Sequence, residues 1–243
     1  MATDPDMSAF FTLHRDLPRE GPGQAEDVAW AAGLLDLSPK AQIADVACGP
    51  GGDIAALLAA APEGHVTALD KTPHFVQAAR KTWGDDGRVT VLKADMKVIA
   101  NPYDLIWCAG AVYFMGVEKA LRAWRKSLLS NGAIAFSEAC WFTDNRSARA
   151  EAFWNAEYPS MTDEAGITAQ IEAAGYRVLG QQRLQDASWE AYFTPLEQRA
   201  AALRAGGADP ALSAVLDEAA EEIACWRAHR DEFGYLLSVV VPA

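Results

Sequence analysis

The sequence predicts an α/β protein with a doubly wound, mostly parallel sheet, and three observations carry that expectation. Short apolar runs alternate with stretches of helical period from residue 43 onward, as strands joined by crossover helices do. A glycine-rich turn, "CGPGG", follows the first run and opens a helix. Successive runs end in an acid, in "IADVAC", "HVTALD" and "VTVLKAD", and the ends of such strands are where ligands bind.

Element by element, the apolar runs at 43–48, 65–70, 89–95, 103–109 and 133–139 read as strands. Helical period places helices near 53–61, 73–83 and 117–129. The segment "MKVIANP" after Asp95 is short, so that crossover has little room for a helix. Beyond residue 146, "ARAEAFWNAEYP" and "DEAGITAQIEAAG" are helical in period, "YRVLGQQRL" follows as a strand, and helices are expected near 189–205 and 211–230. The β-branched run "YLLSVVV" reads as the last strand. Ahead of the first strand, "FFTLHRDLPREGPG" must pack as a lid or an added helix pair, with Arg19 and Glu20 in a stiff loop between Pro18 and Gly21-Pro22-Gly23.

What the turn holds follows from its charges. Gly49, Gly51 and Gly52 expose backbone N–H groups at a helix start, which first suggests phosphate. Asp45 argues against it, because a carboxylate beside the glycines repels a pyrophosphate and suits a ligand with ammonium and sulfonium charges. Position 47 is Ala, so the spacing is not G-x-G-x-x-G either. Asp70 ends the second strand, where a doubly wound fold aims an acid at a ribose. Asp95, followed by Met96, adds a third acid. The set describes a crevice for a nucleoside without phosphates, and S-adenosylmethionine fits it.

The stretches "DVACGPGGD", "ALDKTPHFV", "LKADM" and "YDLIWCAGAVYFMG" resemble, in order and spacing, the successive motifs of class I S-adenosylmethionine-dependent methyltransferases. A closer likeness is to a bacterial small-molecule methyltransferase group, carried by "LPREGPG", "SEACWFTDNR", "FWNAEYP", "AAGY" and "WEAYFTPLE". The resemblance covers nearly the whole chain. It implies a Rossmann-like sheet of seven strands completed by an antiparallel "YLLSVVV", with an N-terminal lid and C-terminal helical additions. It also implies S-adenosylmethionine as cofactor, a small-molecule acceptor, and cofactor contacts at Ala47, Cys48, Lys71 and Met96 beside Asp45, Gly49, Gly51, Asp70 and Asp95. The family has Gly where this chain has Ala47, which is tolerated if the φ of Ala47 is negative.

Ala109, Gly110 and Tyr113 fall at the carboxyl edge of the sheet after the fourth strand, with Ala109 and Gly110 as further cofactor-binding candidates because Gly110 permits close approach to the cofactor. Tyr113 is a candidate to face the transferable methyl, or else a core aromatic below a loop. Glu138 emerges from the fifth strand beside Cys140 and Trp141. It reads either as a base of raised pKa or an anchor for a cationic substrate, or as an acid paired with an Arg such as Arg146. The lid, Tyr113, Glu138 and Trp141 are expected to gather beside the cofactor. Among Trp154, Trp189 and Tyr192, one or two are expected to touch substrate. Of the histidines, His65, His74 and His229 read as structural or exposed, and His14 beside the lid is the candidate for catalysis.

Composition agrees. A chain of 243 residues, 51% hydrophobic, can bury one sizeable core. One domain is expected: 1–40 a helical lid region, 41–145 the cofactor-binding core, and 146–243 the substrate-side helices and final strands. A net charge of -12 and the lack of a basic cluster beyond "RAWRK" disfavour nucleic acid. Cys48, Cys108, Cys140 and Cys225 form no CxxC pair and have no zinc spacing with His, so no metal is expected. An acidic start and no apolar run near ~20 residues predict neither signal peptide nor membrane span, hence a cytoplasmic protein. Oligomeric state is left open, as is the choice among O-, N-, C- and S-methylation. A nucleoside-binding protein without catalysis and a nicotinamide-dependent oxidoreductase stand as alternatives.

Overall fold

A computed structural model describes residues 5–243. Two helices, α1 (Pro5–Leu13) and α2 (Ala25–Gly33), precede the sheet. There follow β1 (Gln42–Val46), α3 (Ile54–Ala60), β2 (His65–Asp70), α4 (Pro73–Trp83), β3 (Val89–Lys93), β4 (Tyr103–Cys108), α5 (Val117–Trp124) and β5 (Leu128–Trp141). The second half runs α6 (Ala148–Glu157), β6 (Thr162–Asp163), α7 (Glu164–Ala173), β7 (Tyr176–Arg183), α8 (Asp186–Ala205), α9 (Pro210–His229) and β8 (Phe233–Pro242).

The strands lie in the order β3-β2-β1-β4-β5-β8-β7. Those seven make the expected sheet, and the two-residue β6 adds a parallel pairing at the end of β5. β1 to β5 pair in parallel, while β8 runs antiparallel between β5 and β7. Sequential order reverses between β1 and β4, so the carboxyl ends of those strands diverge and open a crevice.

The strands are apolar on both faces because helices cover both. Ile43, Leu105, Trp107, Ala133 and Ala135 enter one core with α2, α3, α8 and α9 residues. The alternate residues Ala44, Val46, Ile106, Cys108, Ile134 and Phe136 enter a second core with α5 and α7. The crossover after β3 carries no helix, as its length predicts. It is tied down by α5 and the turn after it: the Trp124 indole donates to the Met96 carbonyl at 2.7 Å and the Ser127 hydroxyl to that of Ile99 at 2.7 Å.

One element departs from expectation. Helical period continues to 129, but α5 stops at Trp124, a 3-10 turn spans 125–127, and β5 starts at Leu128. "SNG" therefore lies in the strand rather than in a turn before it. A Cβ on Gly132 would sit 2.7 Å from the Tyr103 carbonyl oxygen, so the neighbouring strand leaves no room for a side chain there.

The N-terminal segment is sewn to the C-terminal additions. The Ser188 hydroxyl donates to Asp27 at 2.7 Å, and the Gly23 amide donates to the Ser188 carbonyl at 2.9 Å. Together with α1 packed on α8 and α9, these bonds hold the "LPREGPG" loop over the carboxyl edge of the sheet.

Candidate active site

A cavity of about 540 Å³ opens at the switch point between β1 and β4. The turn after β1 forms its floor. The Cys48 amide donates to the Leu69 carbonyl at 3.0 Å, which fixes the turn to β2. The Asp70 carboxylate then accepts from the Gly49 amide at 3.1 Å and from the Thr72 amide at 2.7 Å. Asp70 thus braces both loops of the crevice while lining it.

Ala47 has φ +56°, so the condition of a negative φ is not met. The turn demands a left-handed residue here whatever the side chain, and that is the reason for the family's Gly. Gly51 is also corrected: it lies outside the cavity wall. Its φ is +92°, and a Cβ would meet Ile54 at 2.8 Å and Trp83 at 3.1 Å, so this glycine lets α3 and α4 close behind the turn.

Asp45 is 3% exposed, and its Oδ2 has no hydrogen-bond partner among the described residues. Burial raises its pKa well above the usual carboxylate range, with Asp53 and Asp70 adding to the rise and Arg19 opposing it. A carboxylate left this way in a cavity wall is matched by a cationic donor arriving with a ligand. Asp53 is satisfied internally: Oδ1 accepts from the Arg19 guanidinium at 3.0 Å and Oδ2 from the Trp107 indole at 2.9 Å. Arg19 also donates from Nε to the Gly21 carbonyl at 2.6 Å, so the lid loop is locked onto the start of α3.

The cofactor candidates Asp45, Ala47, Cys48, Gly49 and Asp70 share this wall with Lys71, Met96, Ala109 and Gly110. The Lys71 ammonium stands 5.3 Å over the Phe114 ring. Asp95 is not among them. It is exposed, two residues past the end of β3, and its carboxylate accepts from the Lys97 amide at 2.8 Å in a local turn. Burial pushes the thiols of Cys48 and Cys108 up, so neither is a thiolate nucleophile.

The acceptor candidates divide. Tyr113 and His14 line the cavity. His14 stacks on Phe10 at 3.9 Å and meets Glu20 through Nδ1 at 2.6 Å. Glu138 does not line it. The residue is 3% exposed, neither carboxylate oxygen has a hydrogen-bond partner, and burial raises its pKa to about 8, with Tyr158 opposing. No arginine pairs with it: Arg146 instead lies 4.5 Å over the Trp141 ring. Trp141 and Trp189 are core residues, 3% exposed each, and Trp154 packs edge-on against Phe233 at 5.3 Å. None of these three tryptophans reaches the cavity, while Tyr192 does.

Sequence reasoning missed Glu157, Glu222 and Tyr235, which complete the wall with Tyr113 and Tyr192. A Cβ on Gly110, where φ is +65°, would lie 3.2 Å from the Tyr235 ring. The absence of a side chain at 110 is what lets that ring lean across β5 to the end of β4. Glu222 keeps partial exposure to the cavity although protein surrounds it, and burial raises its pKa to about 7 with Glu157 adding to the rise.

Residues 43–132 match the family model described as "Methyltransferase domain". The match runs from β1 to the start of β5 and takes in the turn after β1. Trans-aconitate 2-methyltransferase of Streptomyces avermitilis is 32% identical over 102 residues, 40% of this chain and 38% of that protein's length. Two solved structures share the whole fold. A SAM-dependent methyltransferase from Geobacter sulfurreducens, in complex with S-adenosyl-L-homocysteine, is 19% identical with a TM-score of 0.81, covering 97% of this chain and 98% of that one. One from Thiobacillus denitrificans, in complex with the same molecule, is 20% identical with a TM-score of 0.78, covering 100% of both. Both of those proteins hold S-adenosyl-L-homocysteine, and the wall described here presents two acids, Asp70 at the end of β2 and the buried Asp45 in β1.

Proposed function

We propose that this protein transfers the methyl group of S-adenosylmethionine to a small-molecule acceptor. One observation carries the reading: the buried Asp45, whose Oδ2 has no hydrogen-bond partner among the described residues, beside a turn whose Gly49 amide is already held by Asp70. That arrangement favours a ligand with positive charge and no phosphate. When bound, the cofactor supplies a methyl group already activated by its sulfonium. The chain has three tasks left: to align the acceptor, to exclude water and to accept a proton where the acceptor must lose one.

The lid loop and α1 supply the cover, with His14 and Glu20 on the inner side. Tyr113 is the acceptor-orienting group in this reading, and Glu138, buried behind the wall, takes no direct part. The enclosed site suits a metabolite rather than a polymer, and free cysteines suit a reducing, cytoplasmic setting. The one-domain division into lid, core and substrate-side parts goes with this reading. Methyl transfer to the acceptor named for the Streptomyces relative is disfavoured, because Glu157 and Glu222 would face the carboxylates of trans-aconitate. The test is turnover with S-adenosylmethionine against a library of small metabolites. Products gaining one CH2, with matching S-adenosylhomocysteine, are expected; cofactor binding without turnover across a broad library would reduce the protein to a binder.

A further inference from the structure

The sheet order separates two ends of the cavity. β2, which carries Asp70, and β8, which carries Tyr235, are separated by β1, β4 and β5. Four strand spacings amount to roughly 19 Å. Tyr235, on β8, shares the cavity wall with Tyr113, Tyr192, Glu157 and Glu222, the five coming from five separate elements of the chain, and Glu222 lies close enough to all three tyrosines to disfavour their ionisation.

The two charged residues of this set, Glu157 and Glu222, are both acids. Arg19, a basic residue of the wall, is committed to Asp53 at 3.0 Å, and Lys71 stands over Phe114 beside Asp70. Glu222 has no hydrogen bond or ion pair among the described residues, and the acid nearest to affect it is Glu157, which makes ionisation without a partner harder. Three tyrosines line the cavity with these acids. Aromatic faces and carboxylates both attract cations, and together they form the kind of cage that binds an ammonium. Burial raises the Tyr113 phenol to about 12 and the phenols of Tyr192 and Tyr235 well above the usual range. The phenols therefore stay neutral and offer ring faces and hydroxyls rather than phenolate.

We infer that the acceptor is an aliphatic amine, held as its ammonium between the Glu222 carboxylate and the faces of Tyr113, Tyr192 and Tyr235. The inference rests on the methyl-transfer reading and deepens it by naming the substrate class. An ammonium has no lone pair, so it must give up a proton before its nitrogen can form a bond to carbon. Glu222 takes that proton: the N–H bond breaks with its electron pair left on nitrogen, and the carboxylate becomes a carboxylic acid. Glu157, exposed at the end of α6, is a second acid positioned to attract the amine and pass the proton to solvent.

The experiment is calorimetry on the full chain saturated with S-adenosylhomocysteine, using probes matched in size and opposite in charge. Phenethylamine is compared with 3-phenylpropionate, and n-butylamine with pentanoate. The expected result is tighter binding of each amine by about tenfold or more. Glu222→Gln, isosteric but uncharged, is expected to lower amine affinity about tenfold and to leave S-adenosylhomocysteine affinity unchanged, which also reports that the variant is folded. Glu157→Gln, on an exposed residue, gives a smaller loss in the same direction. Carboxylates binding as tightly as amines, no amine binding, or an unchanged amine affinity in Glu222→Gln would overturn the inference. Failure of S-adenosylhomocysteine to bind would instead overturn the methyl-transfer reading, and amine preference measured on the protein alone would still report on the wall.

Discussion

Replacing Glu138 by Gln is expected to abolish a pH dependence of folding stability that the buried carboxyl imposes. In the folded chain burial raises the carboxyl from 4.5 to about 8, with neither oxygen hydrogen-bonded. Between those values the folded protein keeps a proton that the unfolded chain has released. Stability from this group is thus complete below pH about 4.5, falls as pH rises toward 8, and is flat above. The rise from 4.5 to about 8 corresponds to roughly 5 kcal/mol at most, at about 1.4 kcal/mol for each tenfold change in proton affinity. Gln has nearly the same shape and does not titrate, so the variant should match the wild type at pH 5 and exceed it by about 2–5 kcal/mol at pH 8.5. Urea unfolding followed by tryptophan fluorescence at several pH values measures this directly. A wild type whose stability relative to the variant is flat or rises between pH 5 and 8.5 would refute the reasoning, because it would mean that water or a partner stabilises the ionised carboxylate.

Other perturbations probe the turn and the lid. Ala47→Gly removes a left-handed alanine at φ +56° and should raise stability by about 0.5–1 kcal/mol in the same urea assay; a loss would show that the methyl group packs usefully. Asp70→Asn weakens the charge-assisted bonds to the Gly49 and Thr72 amides, so both amides should exchange hydrogen faster and cofactor affinity should drop by about tenfold or more. Unchanged exchange there would remove Asp70 as the brace of the turn. Arg19→Gln leaves the Asp53 carboxylate with the Trp107 indole alone and should cost about 3 kcal/mol, as breaking a buried pair does; a thermal shift within error would mean that the lid loop is held by other contacts.

The sheet was legible because buried parallel strands are continuous apolar runs, and β1, β2 and β4 begin or end within two residues of the expected positions. The cofactor turn was legible because glycines and strand-end acids sit at fixed offsets from such runs. Two features of that turn were hidden. Ala carries no mark of a left-handed backbone, and the bonds from Asp70 to the Gly49 and Thr72 amides depend on loop geometry. The acceptor wall was the least legible part. Glu222 lies beside the apolar stripe Leu216, Ala219, Ile223 and Trp226 of α9, so an acid flanking a core-facing stripe was its one signal. Tyr235 reads as one more residue of an apolar strand, and only the missing side chain at Gly110 shows where its ring goes. Trp141 misled in the opposite sense: an aromatic at the end of a strand resembles a pocket wall, yet its ring is stacked under Arg146 and packed edge-on against Phe233.

The central claim is that the crevice takes a cationic nucleoside without phosphates, and titration calorimetry of the full chain with S-adenosylmethionine and, separately, with NAD tests it most directly. The expected result is saturable binding of one S-adenosylmethionine per chain, weakened by about tenfold or more in Asp45→Asn, which removes the charge that has no internal partner. NAD should give no comparable heat. Tighter binding of NAD than of S-adenosylmethionine, or an Asp45→Asn variant that binds S-adenosylmethionine as well as the wild type, would contradict the charge argument on which the site is built.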